Sequence, residues 1–142
     1  PSREAEIDII ARHQAGFNPR SLTEAGIHPV AGAADIHAAR EAASRIEVAP
    51  AVMAYLVDVC RATRTSPAVR LGVSPRGATS LLRTARVWAF LQGRGFVTPD
   101  DVKTMAPSTL AHRLGLRAEA NLEGITAVNV ISGVLAATPV PR

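Results

Sequence analysis

The stretch from Ser74 to Gly93 constrains the fold most strongly, because it carries the signals for both ends of a helix and for the face that it buries. Ser74 is a preferred capping residue, Pro75 suits the first helical position, and Gly93 is typical of a helix end. Between them, apolar residues follow the i, i+4, i+7, i+8 spacing of a core-facing helix: Leu81, Ala85, Trp88 and Ala89, widened by Leu82 and Phe90. The stretch therefore predicts one long amphipathic helix over 74–92.

The rest of the chain repeats helical patterns and gives little sign of strands. Helices are predicted over 2–15, 33–45 and 50–65, in two short pieces on either side of Pro107 (102–105 and 109–114), and in a last segment after Glu123 with Val128, Ile131, Val134 and Leu135 inward. Extended residues are predicted only at 46–48, 96–97 and 114–116. Aromatic residues are few and alanine is abundant, a composition that suits close helix packing. We therefore expect an all-α fold, a small bundle of about five to seven helices with at most very short extended segments.

The length of 142 residues fits a single domain over 1–142. Within it we expect a first helix over 1–16, a loop over 17–32, the remaining bundle over 33–136 and a frayed tail over 137–142. The sequence starts at Pro1 without an initiator methionine. This start favours an excised piece of a longer polypeptide.

Several function classes are disfavoured by what the sequence lacks. It has no apolar run long enough for a membrane span, no signal peptide and no familiar phosphate-loop, dinucleotide, zinc-protease or esterase motif. The single cysteine, Cys60, lies on a predicted buried face, so no internal disulfide forms and a reducing cytoplasm is the default expectation. No metal site is expected, because the four histidines are widely scattered: His13, His28, His37 and His112.

Positive charge is concentrated in one part of the chain. No acid occurs between Asp58 and Asp100, where seven arginines fall: Arg61, Arg64, Arg70, Arg76, Arg83, Arg86 and Arg94. Such a region can meet a nucleotide phosphate, a nucleic acid or an acidic partner surface. The other interpretation is that these arginines simply cover solvated faces. The chain has only one lysine, Lys103, so arginine is its general surface cation.

Two helix starts differ in the charge that they carry. In Thr98-Pro99-Asp100-Asp101 the two acids complement the positive end of the helix dipole, and this role is expected for them rather than paired-carboxylate catalysis. In Ser74-Pro75-Arg76-Gly77 an arginine adds to the same positive potential, which by itself costs about 0.3 to 1 kcal/mol. An anion bound at Arg76 would reverse the sign of that cost.

Several motifs, taken in order, resemble the C-terminal part of MoxR-type AAA+ ATPases. They are Leu71-Gly72-Val73-Ser74-Pro75-Arg76-Gly77, Leu81-Leu82-Arg83-Thr84-Ala85-Arg86, Gly93-Arg94-Gly95-Phe96-Val97-Thr98-Pro99-Asp100-Asp101-Val102 and Leu110-Ala111-His112-Arg113-Leu114. The opening residues 1–6 are also similar to the junction after that family's second arginine-bearing core element. The resemblance covers about residues 1–136, and is strongest over 61–113 and weak over 17–45. Val73 and Gly77 stand where alanine is more usual in the family.

The resemblance implies an all-helical lid that packs on an ATP-binding core of the same polypeptide. In the intact protein it implies ATP and Mg²⁺ as cofactors, with Arg76 as the sensor-two arginine that reaches the terminal phosphate, flanked by Pro75 and Gly77. It implies as partners the protein's own N-terminal AAA+ core, neighbouring subunits of a ring, taken as a hexamer, and a client protein that is remodelled or matured. The fragment alone would be inactive, because it lacks the phosphate-binding loop.

Two other kinds of function stay open at the level of sequence. One is a helical nucleic-acid-binding module that uses the basic region 61–94, with Arg83 and Arg86 on the outer face of its helix. The few aromatics, the single lysine and the flanking acids speak against it. The other is a protein-interaction bundle that uses the same arginine-rich surface.

Overall fold

The computed structural model describes residues 1–141. The chain divides into two compact units, Pro1–Ile36 and His37–Arg142. The assignment of 1–142 to one domain stays a prediction, and the last residue of the predicted tail lies outside the described residues.

The first unit consists of one helix and a long loop. Helix α1 (Arg3–Gln14) begins at Ser2, whose hydroxyl accepts a 3.3 Å hydrogen bond from the amide of Ala5. The chain leaves the helix at Gly16, where a φ of +93° lies in the left-handed region that glycine favours. Within the described part of the chain, no residue of α1 is buried. Its three isoleucines, Ile7, Ile9 and Ile10, are each at least half exposed.

The second unit contains the core. Its elements are α2 (Ala33–Ser44, which begins in the first unit), α3 (Pro50–Thr65), β1 (Val69–Leu71), α4 (Pro75–Leu91), α5 (Pro99–Leu110), a 3₁₀ turn (Ala111–Arg113), β2 (Gly115–Leu116), α6 (Ala118–Leu122) and α7 (Ala127–Ala137). The only sheet within residues 1–141 is the antiparallel pair of β1 and β2, which joins Val69 to Leu116 and Leu71 to Gly115. The predicted all-α class is confirmed. None of the helices described for residues 1–141 has the length and apolar content that a membrane span needs.

Helices α3, α4, α5 and α7 surround one apolar core. The largest fully buried apolar side chains are Leu56, Leu81, Leu110 and Ile131, one from each helix. The predicted inward stripe of α4 is confirmed at Leu81, Ala85 and Ala89, which have no exposed surface. Because two of these three residues are alanines, α5 packs closely along α4. Trp88 is only half-buried and lies at the edge of this contact.

The start of α5 is held by a buried carboxylate. Asp101 is 3% exposed and accepts two hydrogen bonds from the guanidinium of Arg94, at 2.7 and 2.5 Å. The same carboxylate accepts from the amide and hydroxyl of Thr98, while the Thr98 hydroxyl accepts from the amide of Asp101. This is a complete capping box joined to an ion pair. Asp101 thus ties the loop after α4 to the first turn of α5, a role beyond the dipole contact that sequence predicts.

The structure corrects two predictions about local elements and adds two elements that were not predicted. The break expected at Pro107 is wrong, because α5 continues from Pro99 to Leu110 with the proline inside it. A proline in a helix interior costs about 3 kcal/mol, and the full burial of Ala106 and Leu110 on either side offsets that cost. Strand β1 and helix α6 had no sequence prediction. Val128, expected to point inward, is 48% exposed, and Val130 is buried instead.

Replacement of Asp101 by alanine should lower the free energy of unfolding by about 2 to 4 kcal/mol, since it removes the capping bonds and leaves the Arg94 guanidinium unpaired. The adjacent acid provides a matched control. Asp100 is exposed and, among residues 1–141, forms an ion pair with Lys103 alone, at 3.1 Å, so Asp100→Ala should cost at most about 1 kcal/mol, including its contribution at the positive end of the helix dipole. Urea unfolding followed by circular dichroism measures both values, and equal losses would contradict this account of the α5 start.

Stability should also fall in acid because of Asp101. Burial would raise the pKa of Asp101, but hydrogen bonds from Arg94 and Thr98 outweigh it and hold the pKa below the usual Asp value. Below about pH 4, the ordinary Asp pKa, the unfolded chain therefore takes up this proton before the folded chain does, and stability falls as the pH decreases further. The difference in unfolding free energy between the wild type and Asp101→Ala should shrink over this range. If this difference in unfolding free energy did not depend on pH, it would contradict a lowered pKa for Asp101.

Candidate functional site

The first turn of α4 presents Arg76 to solvent. Ser74 caps the helix, and its hydroxyl accepts a 3.3 Å hydrogen bond from the amide of Gly77. Pro75 occupies the first helical turn, and both Pro75 and Arg76 are exposed, whereas Gly77 is buried. The first turn of α4 contains no acid. Its helix dipole and the Arg76 guanidinium therefore combine into one positive potential that no acid of this turn neutralises.

The residue before the cap is fixed by α3. The amide of Val73 donates to the hydroxyl of Thr63 at 3.0 Å, and the carbonyl of Val73 accepts from the Nε of Arg64 at 2.7 Å. The Thr63 hydroxyl in turn donates to the carbonyl of Cys60 at 2.7 Å, and Thr63 has no exposed surface. Both polar backbone groups of Val73 are therefore bound to consecutive residues of α3, so the position of the α4 start is set by the end of α3.

The loop passes so close to α3 that Gly72 is required. A Cβ at this position would lie 2.7 Å from the Cα of Arg64 and 2.9 Å from its backbone nitrogen. These are backbone atoms, so the contact cannot be relieved by rotation of a side chain. The close approach lets the Arg64 side chain reach the Val73 carbonyl.

Val73 and Gly77 share one space in the interior. A Cβ at Gly77 would lie 2.6 Å from Cγ1 of Val73, which is fully buried. The valine methyl therefore occupies the volume that an alanine at 77 would need. The branched side chain at Val73 is therefore matched by the absence of a side chain at Gly77.

A second arginine lies beside the α4 start. The Cδ of Arg113 is 3.6 Å from the position that a Cβ of Gly77 would take, and its Nε donates to the carbonyl of Thr109 at 3.2 Å. Sequence patterns assign Arg113 no role in the site, although it stands in one of the motifs that carry the resemblance. No local pattern could have placed it there, because the 3₁₀ turn that carries it lies far from α4 in sequence.

The remaining candidate residues separate into different environments. Two arginines of the basic region, Arg64 and Arg94, donate hydrogen bonds within the chain. Arg86, expected on the outer face of α4, is half-buried, and its Nε is buried without a hydrogen-bond partner among the described residues. Cys60 is buried as predicted, and burial raises the pKa of its thiol to about 11, so the thiol stays protonated. Residues 1–141 contain no cluster of three His, Cys, Asp or Glu side chains suited to a metal ion.

Comparison with known proteins identifies the class. The AAA lid domain family matches residues 61–134, and this chain belongs to that family. A crystal structure of a proposed ATPase from Cytophaga hutchinsonii has the same fold, with a TM-score of 0.80 at 24% identity, and covers 99% of this chain and 44% of the other.

The sequence relatives of this chain include proteins named MoxR. The chain is 37% identical over 135 residues to the protein MoxR of Methylorubrum extorquens, covering 80% of this chain and 38% of MoxR. It is 31% identical over 151 residues to the chaperone MoxR1 of Mycobacterium tuberculosis, covering 100% of this chain and 38% of MoxR1. The uncharacterised protein YeaC of Bacillus subtilis is 33% identical over 141 residues, 99% of this chain and 42% of YeaC. The chain thus spans about two fifths of the length of these relatives.

The compensation between Val73 and Gly77 predicts a strong energetic coupling. Gly77→Ala alone should destabilise the protein despite the better helix propensity of alanine, because the buried, stiff valine cannot move away. Val73→Ala alone should cost about 2 kcal/mol through lost burial and the cavity left behind. In the double variant the new methyl group enters the vacated volume, so we expect a favourable coupling of at least about 1 kcal/mol. Urea unfolding of all four proteins measures it, and additive effects would contradict the shared space.

Proposed function

We propose that this chain is the nucleotide-responsive lid of an ATP-hydrolysing MoxR-type protein, in which Arg76 contacts the terminal phosphate of ATP. The ATP and its Mg²⁺ would be held by the protein's own N-terminal AAA+ core, which precedes the lid in the resembled family. The observation that carries the proposal is the exposed arginine on the first turn of α4, in a turn without an acid and fixed from behind by Thr63 and Arg64.

The chemistry of this turn suits a phosphate. The guanidinium of Arg76 is charged at all physiological pH values and offers several donors in a fixed plane. The free amides and the dipole of the helix terminus act on the same anion. During phosphoryl transfer, negative charge develops on the transferred group, and a positioned arginine stabilises it without reorganisation at the moment of reaction. Pro75 and Gly77 support this role by building the turn rather than by supplying charge.

The attachment of Val73 to α3 would let the lid respond to ATP binding by moving as one rigid body. Because both backbone groups of Val73 are bound to α3, a displacement of Arg76 towards a phosphate would carry the end of α3 with it. Helices α3 and α4 share one close-packed core with α5 and α7. ATP binding would therefore move this bundle as a unit and change the surface that it offers to neighbouring subunits of a ring and to a client protein.

Nucleic-acid binding by the region 61–94 is the weaker proposal. Two of the arginines counted for it, Arg64 and Arg94, are engaged within the chain, and Arg86 is half-buried. The free charge that remains is spread over separate elements. A duplex-binding surface needs several arginines free to contact successive phosphates.

The test joins the chain to an ATP-binding core and compares ATP hydrolysis by the wild type and Arg76→Ala. Loss of one preorganised charged donor should lower kcat by about 100-fold. If Arg76 acts mainly on the developing charge, KM should change much less than kcat. Arg76→Lys should recover only part of the loss, because a lysine cannot make a planar two-point contact.

An exposed arginine of the same basic region supplies the control. Arg61→Ala, on the exposed side of α3, should leave turnover unchanged. Unchanged turnover in Arg76→Ala would contradict the sensor role. An equal loss of turnover in Arg61→Ala would show that Arg76 acts only through a general effect of positive charge.

A further inference from the structure

Arg113 lies beside the turn that carries Arg76. Its Cδ is 3.6 Å from the position that a Cβ of Gly77 would take, and Gly77 directly follows Arg76 on the first turn of α4. Arg113 comes from a different element, the 3₁₀ turn that follows α5. Its guanidinium group begins one bond beyond Cδ. Tertiary packing therefore brings a second positive charge to the turn that holds Arg76.

The side chain of Arg113 is held by α5. Its Nε donates to the carbonyl of Thr109 at 3.2 Å. Thr109 is only 7% exposed, and its hydroxyl shares a 3.0 Å hydrogen bond with the hydroxyl of Thr84 on α4. The hydrogen bonds within residues 1–141 include none from the terminal nitrogens of Arg113, Nη1 and Nη2. These two nitrogens therefore form a planar pair of donors that an external acceptor can use.

No acid balances the two arginines within the described chain. The ion pairs among residues 1–141 include neither Arg76 nor Arg113. Arg70 adds to the same positive potential, since its Nη2 is 4.0 Å from the position of a Cβ at Gly115, two residues after Arg113. Cations that border the same segment repel one another, and an anion bound among them removes this repulsion. The arrangement therefore suits an external anion with more than one negative charge.

We propose that Arg113 is a second phosphate-contacting residue, which donates through Nη1 and Nη2 to the terminal phosphate of ATP alongside Arg76. The inference deepens the proposed function and rests on it for the identity of the anion. A terminal phosphate carries about two negative charges and three acceptor oxygens, so it can accept from two guanidinium groups at once. ADP lacks this phosphate. The two arginines together would therefore distinguish ATP from ADP.

The two contacts connect the phosphate to different parts of the lid. Arg76 acts from the start of α4, which α3 places through Val73. Arg113 acts from the end of α5, through its bond to Thr109. Gain or loss of the terminal phosphate would therefore act on the start of α4 and on the end of α5 together.

The test measures nucleotide binding by the protein that joins this chain to its ATP-binding core. Titration calorimetry with a non-hydrolysable ATP analogue and with ADP gives both dissociation constants without turnover. Arg113→Ala should raise the dissociation constant of the analogue about tenfold, the loss expected for one charged hydrogen-bonded contact, and should change that of ADP by less than about twofold. Arg113→Lys should recover only part of the loss, because lysine lacks the planar pair of donors.

A double-variant cycle separates direct contact from an effect exerted through Arg76. If Arg113 contacts the phosphate, Arg113→Ala should further weaken binding of the ATP analogue in a protein that already carries Arg76→Ala. No further loss in that background would show that Arg113 only positions the α4 start, and would overturn the proposal. Equal losses for the analogue and for ADP would also overturn it, because they would indicate a general disturbance of the lid.

Arg117 provides the matched control. It is exposed, and its amide donates to the carbonyl of Ala68, at the end of the β1–β2 pair that lies away from Leu71 and the α4 start. Arg117→Ala should leave both dissociation constants unchanged, and circular dichroism melts check that every variant is folded. A loss of affinity for the analogue in Arg117→Ala equal to that in Arg113→Ala would overturn the proposal, because it would indicate a general effect of charge.

The two proposals fail in different ways. Weakened binding of the ATP analogue and lowered turnover in Arg76→Ala, with no change in Arg113→Ala, would overturn only the role of Arg113. Unchanged turnover in Arg76→Ala, together with a selective loss of ATP-analogue binding in Arg113→Ala, would contradict the sensor role of Arg76 and support the contact by Arg113.

Discussion

The hydrogen bonds that α3 makes to both backbone groups of Val73 are the constraint on which this lid depends. They place the first turn of α4, and through α4 they place the close contact with α5. Gly72 makes the approach sterically possible, and Gly77 leaves room for the Val73 side chain. The position of this short loop is thereby defined by its contacts with α3. Such definition is what a side chain needs if it is to meet a phosphate within the tolerance of a hydrogen bond.

The two proline-opened helices show how the same local design serves opposite purposes. At α5 the positive end of the helix is neutralised inside the chain, where Asp101 accepts from Thr98 and Arg94. At α4 the corresponding turn has a cap but no acid, and it exposes Arg76. The first arrangement adds stability, whereas the second leaves positive potential for an outside anion. This difference assigns the α5 start a structural role and agrees with the binding role that we propose for the α4 start.

The arginines of the basic region also divide by environment rather than by sequence position. Arg64 and Arg94 secure loops at either end of α4, and Arg76 is exposed at its first turn. Arg83 and Arg86 face a cleft towards α2. The number of arginines in the basic region therefore exceeds the number that are available to bind an external anion. These arginines separate into those that hold loops within the chain, the one proposed to contact phosphate, and those that line the cleft towards α2.

The sequence by itself determined the helical class, the inward stripe of α4, the helix starts at Ser74 and Thr98, and the family, because these depend on residues within one or two turns of each other or on motifs in order. Only the tertiary structure decided that α5 runs through Pro107, that β1 pairs with β2, and that Asp101 is buried against Arg94. It also decided that Val73 and Gly77 share one volume and that Arg113 lies beside them. These outcomes depend on packing between residues that lie on different elements or on burial that offsets a local cost, and no local pattern encodes either.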